Sequence, residues 1–174
     1  LLKYLLDHVL RDVFFEESLL KDLMSSPHDS TLVEKYNPQL DGSFVEIKNN
    51  LVSDWIHKSR RLKNFTIEDK YKTINIHKFS KGFLSAYLLP VLSNHTKEKN
   101  GSEPIEYIME DIVKNNAKIE AIQTEGKKWV EIDDINDLKI AESIFPQSLN
   151  NNLFMPNYRK MEKPSIDQVR SFHG

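Results

Sequence analysis

Residues 129–142 read WVEIDDINDLKIAE, and they pass from one backbone period to another with no linker between. Val130 and Ile132 alternate with Glu131 and Asp133. In an extended chain this sets the apolar pair on one face and the two carboxylates, with Trp129, on the other. Leu138, Ala141 and Phe145 then recur at helical spacing. Asp134 can accept from the first free N–H groups of that helix, and Asp137 stands three residues later, as in a capping box. The stretch therefore predicts a strand turning sharply into a helix, with Asp133 at the carboxyl end of the strand, where open α/β sheets bind ligands. Capping by itself explains Asp134 and Asp137. Asp133 is not needed for the cap, and a lone carboxylate there suits Mg²⁺, which takes one or two protein carboxylates alongside phosphate oxygens.

The rest of the chain sets the scale. With 174 residues, 39% of them hydrophobic, it is long enough for one domain with its own core. A net charge of −2 argues against a general nucleic-acid binder. The absence of cysteine excludes disulfides and thiolate metal sites and favours a cytoplasmic setting. No apolar run approaches the length of a membrane span, and the start lacks the basic flank and cleavage site of a signal peptide. The chain begins at Leu1 without methionine, which suggests a piece of a longer protein.

Upstream, the first ten residues fit one helical face, and Val13, Phe14 and Phe15 read as a buried strand end. Asp12 precedes a helix with Leu19, Leu20 and Leu23 inward, so it is either a second carboxylate at a strand-to-helix junction or a solvated surface aspartate. Residues 31–47 predict a hairpin turning at Asp41-Gly42, with Val45 and Ile47 on one face. The basic run 57–63, HKSRRLK, lacks interleaved aromatics and a Gly-rich turn and reads as a solvated loop. The six histidines show no close pairing of metal-ligand type.

Residues 71–79, YKTINIHKF, predict a second informative strand. Ile74 and Ile76 face one way, and Thr73, Asn75 and His77 the other, forming either a cleft wall or the wet face of an edge strand. Lys72, beside a cleft that also holds carboxylates, can anchor a phosphate. Ser80 caps a helix with Phe83, Leu84 and Tyr87 inward, and Pro90 breaks or restarts it. Residues 97–102 read as a loop. Pro104 then opens a helix whose stripe of Ile105, Ile108, Met109, Ile112 and Val113 predicts core. Glu103 and Glu106 lie at its polar start, where they either face a cation or offset the helix dipole.

YKTINIHKFSKGFL at 71–84, followed by an acidic helix and then GKKWVEIDDINDLKIAESIF at 126–145, resembles the second half of a sugar-phosphate-type nucleotidyltransferase. The pattern is most similar to the CTP-dependent cytidylyltransferases that activate phosphocholine or 2-aminoethylphosphonate, including those fused to an aminotransferase. The similarity runs from about Asp12 to Phe145, with DVFFE, DGS, YKTIN and WVEIDD in the family's order. It implies an α/β fold: a partial, Rossmann-like mixed sheet with flanking helices, without the N-terminal nucleotide-binding strand and loop. Residues 1–145 would form this domain, and 146–174 a linker toward a downstream domain. The final QVRSFHG faintly resembles the entry to the fused aminotransferase, though no pyridoxal site is present.

The resemblance further implies transfer of a cytidylyl group from CTP to a phosphate or phosphonate acceptor, with release of pyrophosphate. The Mg²⁺-holding aspartates of that family map onto Asp12 and Asp133. Lys72 would take the catalytic role of steadying the acceptor phosphate, with Asn75 and Glu131 also facing substrate. Trp129, Tyr107 or Glu106 would meet a cationic amine or choline head, by ring quadrupole or by charge. The family's Gly-rich basic loop, which wraps the CTP triphosphate, has no counterpart among five unclustered glycines. A second class of function therefore stands beside the enzyme: a catalytically incomplete remnant acting as an interaction module. The chain taken alone is expected to bind CTP weakly or not at all, and a titration of CTP with Mg²⁺ that gave micromolar binding would overturn this.

Overall fold

The computed structural model describes residues 13–99 and 103–145. In chain order they form β1 (Val13–Phe15), α1 (Glu17–Ser25), β2 (Ser30–Lys35), β3 (Phe44–Lys48), β4 (Leu51–Ile56), β5 (Tyr71–Lys78), α2 (Lys81–Phe83), α3 (Leu89–Lys99), α4 (Ile105–Lys114), β6 (Glu120–Gln123), β7 (Trp129–Glu131) and α5 (Ile135–Ile144). Five strands are ordered β2-β5-β3-β4-β6, and β6 closes the set by pairing in parallel with β2 and touching β4 at Leu51 and Glu120. The other pairings are antiparallel, and β1 and β7 form a separate two-stranded ladder, Val13 opposite Glu131 and Phe15 opposite Trp129. Asp12, the first ten residues and the tail from Pro146 lie outside the described residues.

Strand β2 carries the layering. Its run Thr31-Leu32-Val33 is wholly buried, as expected of a strand covered on both faces. Leu32 joins Leu19 and Leu23 of α1 with Ile74 and Ile76 on one side, whereas Val33 joins Trp55, Ile108, Met109, Ile112 and Ile119 on the other. Helix α1 thus packs on one face and α4 on the opposite face. Among the described residues no helix is long and apolar enough to cross a membrane.

Several expectations change. Residues 31–47 do not form a hairpin, because β5 lies between β2 and β3. The hairpin is β3–β4, turned by Asn49 and Asn50 at φ 52° and 62°, left-handed values that asparagine tolerates and a two-residue turn requires. The basic run is no free loop. Arg60 binds the buried Glu110 at 2.6 Å and lies 3.6 Å over the Tyr107 ring, while Arg61 covers Phe44. Residues 97–99 complete α3 rather than a loop. Pro90 neither breaks nor restarts the helix outright. It sits just past a π turn at Leu84–Leu88, and Leu89 N–H bonds Leu84 O. A ladder that shifts register ahead of a residue without an N–H keeps the helix continuous.

The α4 stripe is core at four of its five positions, but Ile105, in the first turn just after Pro104, is 46% exposed. In a denaturant titration Ile112→Ala should therefore cost about 2–5 kcal/mol of stability by leaving a cavity. Ile105→Ala should stay within about 0.5 kcal/mol.

Candidate active site

The strand-to-helix turn forms as its sequence predicts. Asp134 accepts from Asn136 N–H at 2.6 Å and Asp137 N–H at 3.1 Å, and Asp137 accepts in return from Asp134 N–H at 3.1 Å. Asp137 also accepts from Asp133 N–H at 3.0 Å, so both cap acids are committed to backbone while the Asp133 side chain stays exposed. The turn opens onto a cleft of about 880 Å³ bounded by β5, β7, α5 and the Asp41–Gly42 segment. Lys72, Asn75, Glu106, Trp129, Glu131 and Asp133 all line it. Tyr107 does not appear in its wall; its hydroxyl meets Ser59 at 2.5 Å and its ring receives Arg60 and the edge of His57. Asp12 lies outside the described residues, so its pairing with Asp133 across one cleft is not described.

The expected polar face of β5 is only partly a cleft wall. Thr31 pairs with His77 but Val33 with Thr73, so β5 spends Ile74, Asn75 and Ile76 where β2 spends Leu32 alone. Asn75 takes up the excess at φ 61° and turns into the cleft. Thr73 is fully buried. His77 stacks on Phe79, bonds Thr31 at 2.8 Å, and is pushed down to about 4 by desolvation, which keeps it neutral.

Lys72 has a side chain only 5% exposed, and its ammonium lies 3.1 Å from the Glu131 carboxylate. Gly42, at φ 110°, covers it: a Cβ there would fall 2.7 Å from Nζ and 3.2 Å from Cε. Arg61 fixes that cover by donating to Gly42 O and to Asp41, 3.4 Å away. The backbone N–H of Gly42, with Arg61 and Lys58 adding charge, holds the Asp41 carboxyl below the usual range.

One cleft residue escapes the sequence reading. Glu34, at the carboxyl end of β2, accepts from the Thr124 hydroxyl and from Trp129 Nε1 at 3.4 Å, and burial raises its carboxyl above the ordinary value against the pull of the Trp129 bond. An acid directly after the apolar pair Leu32-Val33, near the end of a strand, was the available signal. Asp133 fits one position of the one- or two-carboxylate set that Mg²⁺ takes. Among the described residues no group of three or more His, Asp or Glu could hold a metal ion.

No family profile matches the chain, and no curated protein does. Solved structures do. The inositol-1-phosphate CTP transferase from T. maritima aligns with a TM-score of 0.53 at 18% identity, over 75% of this chain and 51% of that one. A protein assigned as a glucose-1-phosphate thymidylyltransferase from Bacillus anthracis, solved with sucrose, aligns with a TM-score of 0.54 at 12% identity, over 83% of this chain and 54% of that one. The chain has the mixed α/β fold of these nucleotidyltransferases and spans about half their length.

Gly42→Ala should lower stability by about 1–3 kcal/mol in thermal or denaturant melts, because an alanine at that φ is strained and its methyl meets the lysine beneath.

Proposed function

We propose that the chain belongs to a cytidylyltransferase and supplies the acceptor side of its active site. An acceptor phosphate or phosphonate oxygen attacks the α-phosphorus of CTP, the bond from that phosphorus to the β-phosphate oxygen breaks, and pyrophosphate leaves. The observation that carries this reading is a buried lysine at the wall of a cleft that also holds six acids and Lys58, Lys127 and Lys128, in a fold shared with enzymes of nucleotidyl transfer. Lys72 offers the positive charge that an acceptor phosphate needs. Glu34, Glu106, Glu131 and the Trp129 ring offer an environment for an amine or choline head, which favours 2-aminoethylphosphonate or phosphocholine as the acceptor. Mg²⁺, held by Asp133 with Asp12, would neutralise phosphate charge during displacement. Asn75, placed on its bulge, adds a neutral polar group beside Lys72.

The test is pyrophosphate release from CTP and Mg²⁺ with each of the two acceptors, measured on the protein that carries this chain. One acceptor should support turnover, and Lys72→Met should reduce kcat/KM for it by about 10- to 100-fold, the range expected for losing a charge-assisted hydrogen bond. No release with either acceptor from folded protein would leave the interaction-module reading in place.

A further inference from the structure

The Lys72–Glu131 pair raises a question that the transfer reaction leaves open. An ammonium with 5% of its side chain exposed must have a counter-charge, since removing one partner of a buried pair leaves an uncompensated charge. Glu131 supplies it at 3.1 Å, while two other acids of the cleft, Glu34 and Asp41, are otherwise engaged. Glu34, opposite Lys72 in the β2–β5 register, directs its Oε2 to Thr124 and Trp129. Asp41 is held by its own turn and by Arg61. Glu131 remains, and it differs from the lysine in two ways. Its side chain is 29% exposed, and it stands on β7, a three-residue strand that among the described residues pairs only with β1.

We infer that Glu131 is an internal stand-in for the anionic group of the acceptor: its carboxylate pairs with Lys72 and gives way to a tetrahedral phosphate or phosphonate. This rests on the acceptor-side reading above and deepens it by naming how the anion gains entry. The two anions compete for one ammonium. A carboxylate left at 3.1 Å from the ammonium would repel an arriving dianion, so a bound oxyanion disfavours the Lys72–Glu131 contact. The roof contributes as well. Because Gly42 and Arg61 fix the cover over the lysine from Cδ to Nζ, the ammonium stays in place and the carboxylate is the member that moves. Once displaced, Glu131 remains in the same cleft, free to face the cationic end of a zwitterionic acceptor. A single internal pair is thereby exchanged for two pairs with the ligand, an exchange that a neutral-headed phosphate does not complete.

Binding without turnover tests this independently of CTP. Methylphosphonate, an acceptor mimic without an amine, is titrated by calorimetry against the full chain, with pyrophosphate as a second probe to distinguish an acceptor subsite from a leaving-group subsite. Glu131→Gln should tighten methylphosphonate binding by about 10-fold, since the competing charge is gone. Glu131→Asp, which keeps the charge but is one methylene too short to hold the contact, should tighten it as well. Glu142→Gln, which removes an exposed charge of α5 outside the cleft lining, should change it by less than about 3-fold. Lys72→Met should abolish binding in both the wild-type and the Glu131→Gln backgrounds. Unchanged or weaker binding in Glu131→Gln, an equal gain in Glu142→Gln, or a gain for pyrophosphate alone would overturn the inference. Loss of CTP turnover with the methylphosphonate pattern intact would instead overturn the transferase reading and leave the stand-in role standing.

Discussion

A strand covered on both faces has no wet side on which to place polar residues, and β2 lives under that constraint. Leu32 commits it to the α1 layer and Val33 to the α4 layer, so every neighbour must meet it in one register. Strand β5 satisfies the register at both ends of β2 only by looping out three residues against one. The left-handed backbone at Asn75 follows from that mismatch, and with it the one polar residue of the bulge that reaches the cleft. Position in the site is thus inherited from packing two layers away.

The cleft owes its chemistry to a second consequence of the same pairing. Lys72 lies on β5 between β2 and β3, a central place that removes its ammonium from water. A carboxylate must accompany it there. The chain supplies one from β7, a strand outside the five-stranded set, so the charge balance of the central sheet is completed by an element that does not belong to it. Acids of the α5 cap, by contrast, are spent on backbone N–H groups, and their proximity to the cleft adds negative potential without adding free ligands.

Local chemistry was legible in the sequence and long-range pairing was not. The Asp134–Asp137 capping box, the Ser80 cap that accepts from Phe83 N–H, and the Val13–Phe15 strand each depend on neighbours within a few residues. The site residues Lys72, Glu131 and Asp133 were marked by their places on such elements, and they do share a cleft. The hairpin failed because Asp41-Gly42 has turn chemistry that says nothing of which strands it joins; its glycine serves to clear the lysine beneath. Asn49-Asn50 carried the turn instead. Ile105 matched the helical stripe yet stands in the first turn of α4 and is exposed. Thr73 and His77 alternate correctly on paper, but a bulge between them makes strand alternation a poor guide to which residues are wet.

The ladder of β1 with β7 joins Val13 to Glu131, close to opposite limits of the described chain. Closing so wide a loop carries an entropic cost that the completed contacts must repay. Trp129 and Glu131 arrive in the cleft with the ladder. Without this ladder Lys72 would lose its counter-charge and Glu34 its indole donor, so a pairing outside the five-stranded set completes the pocket.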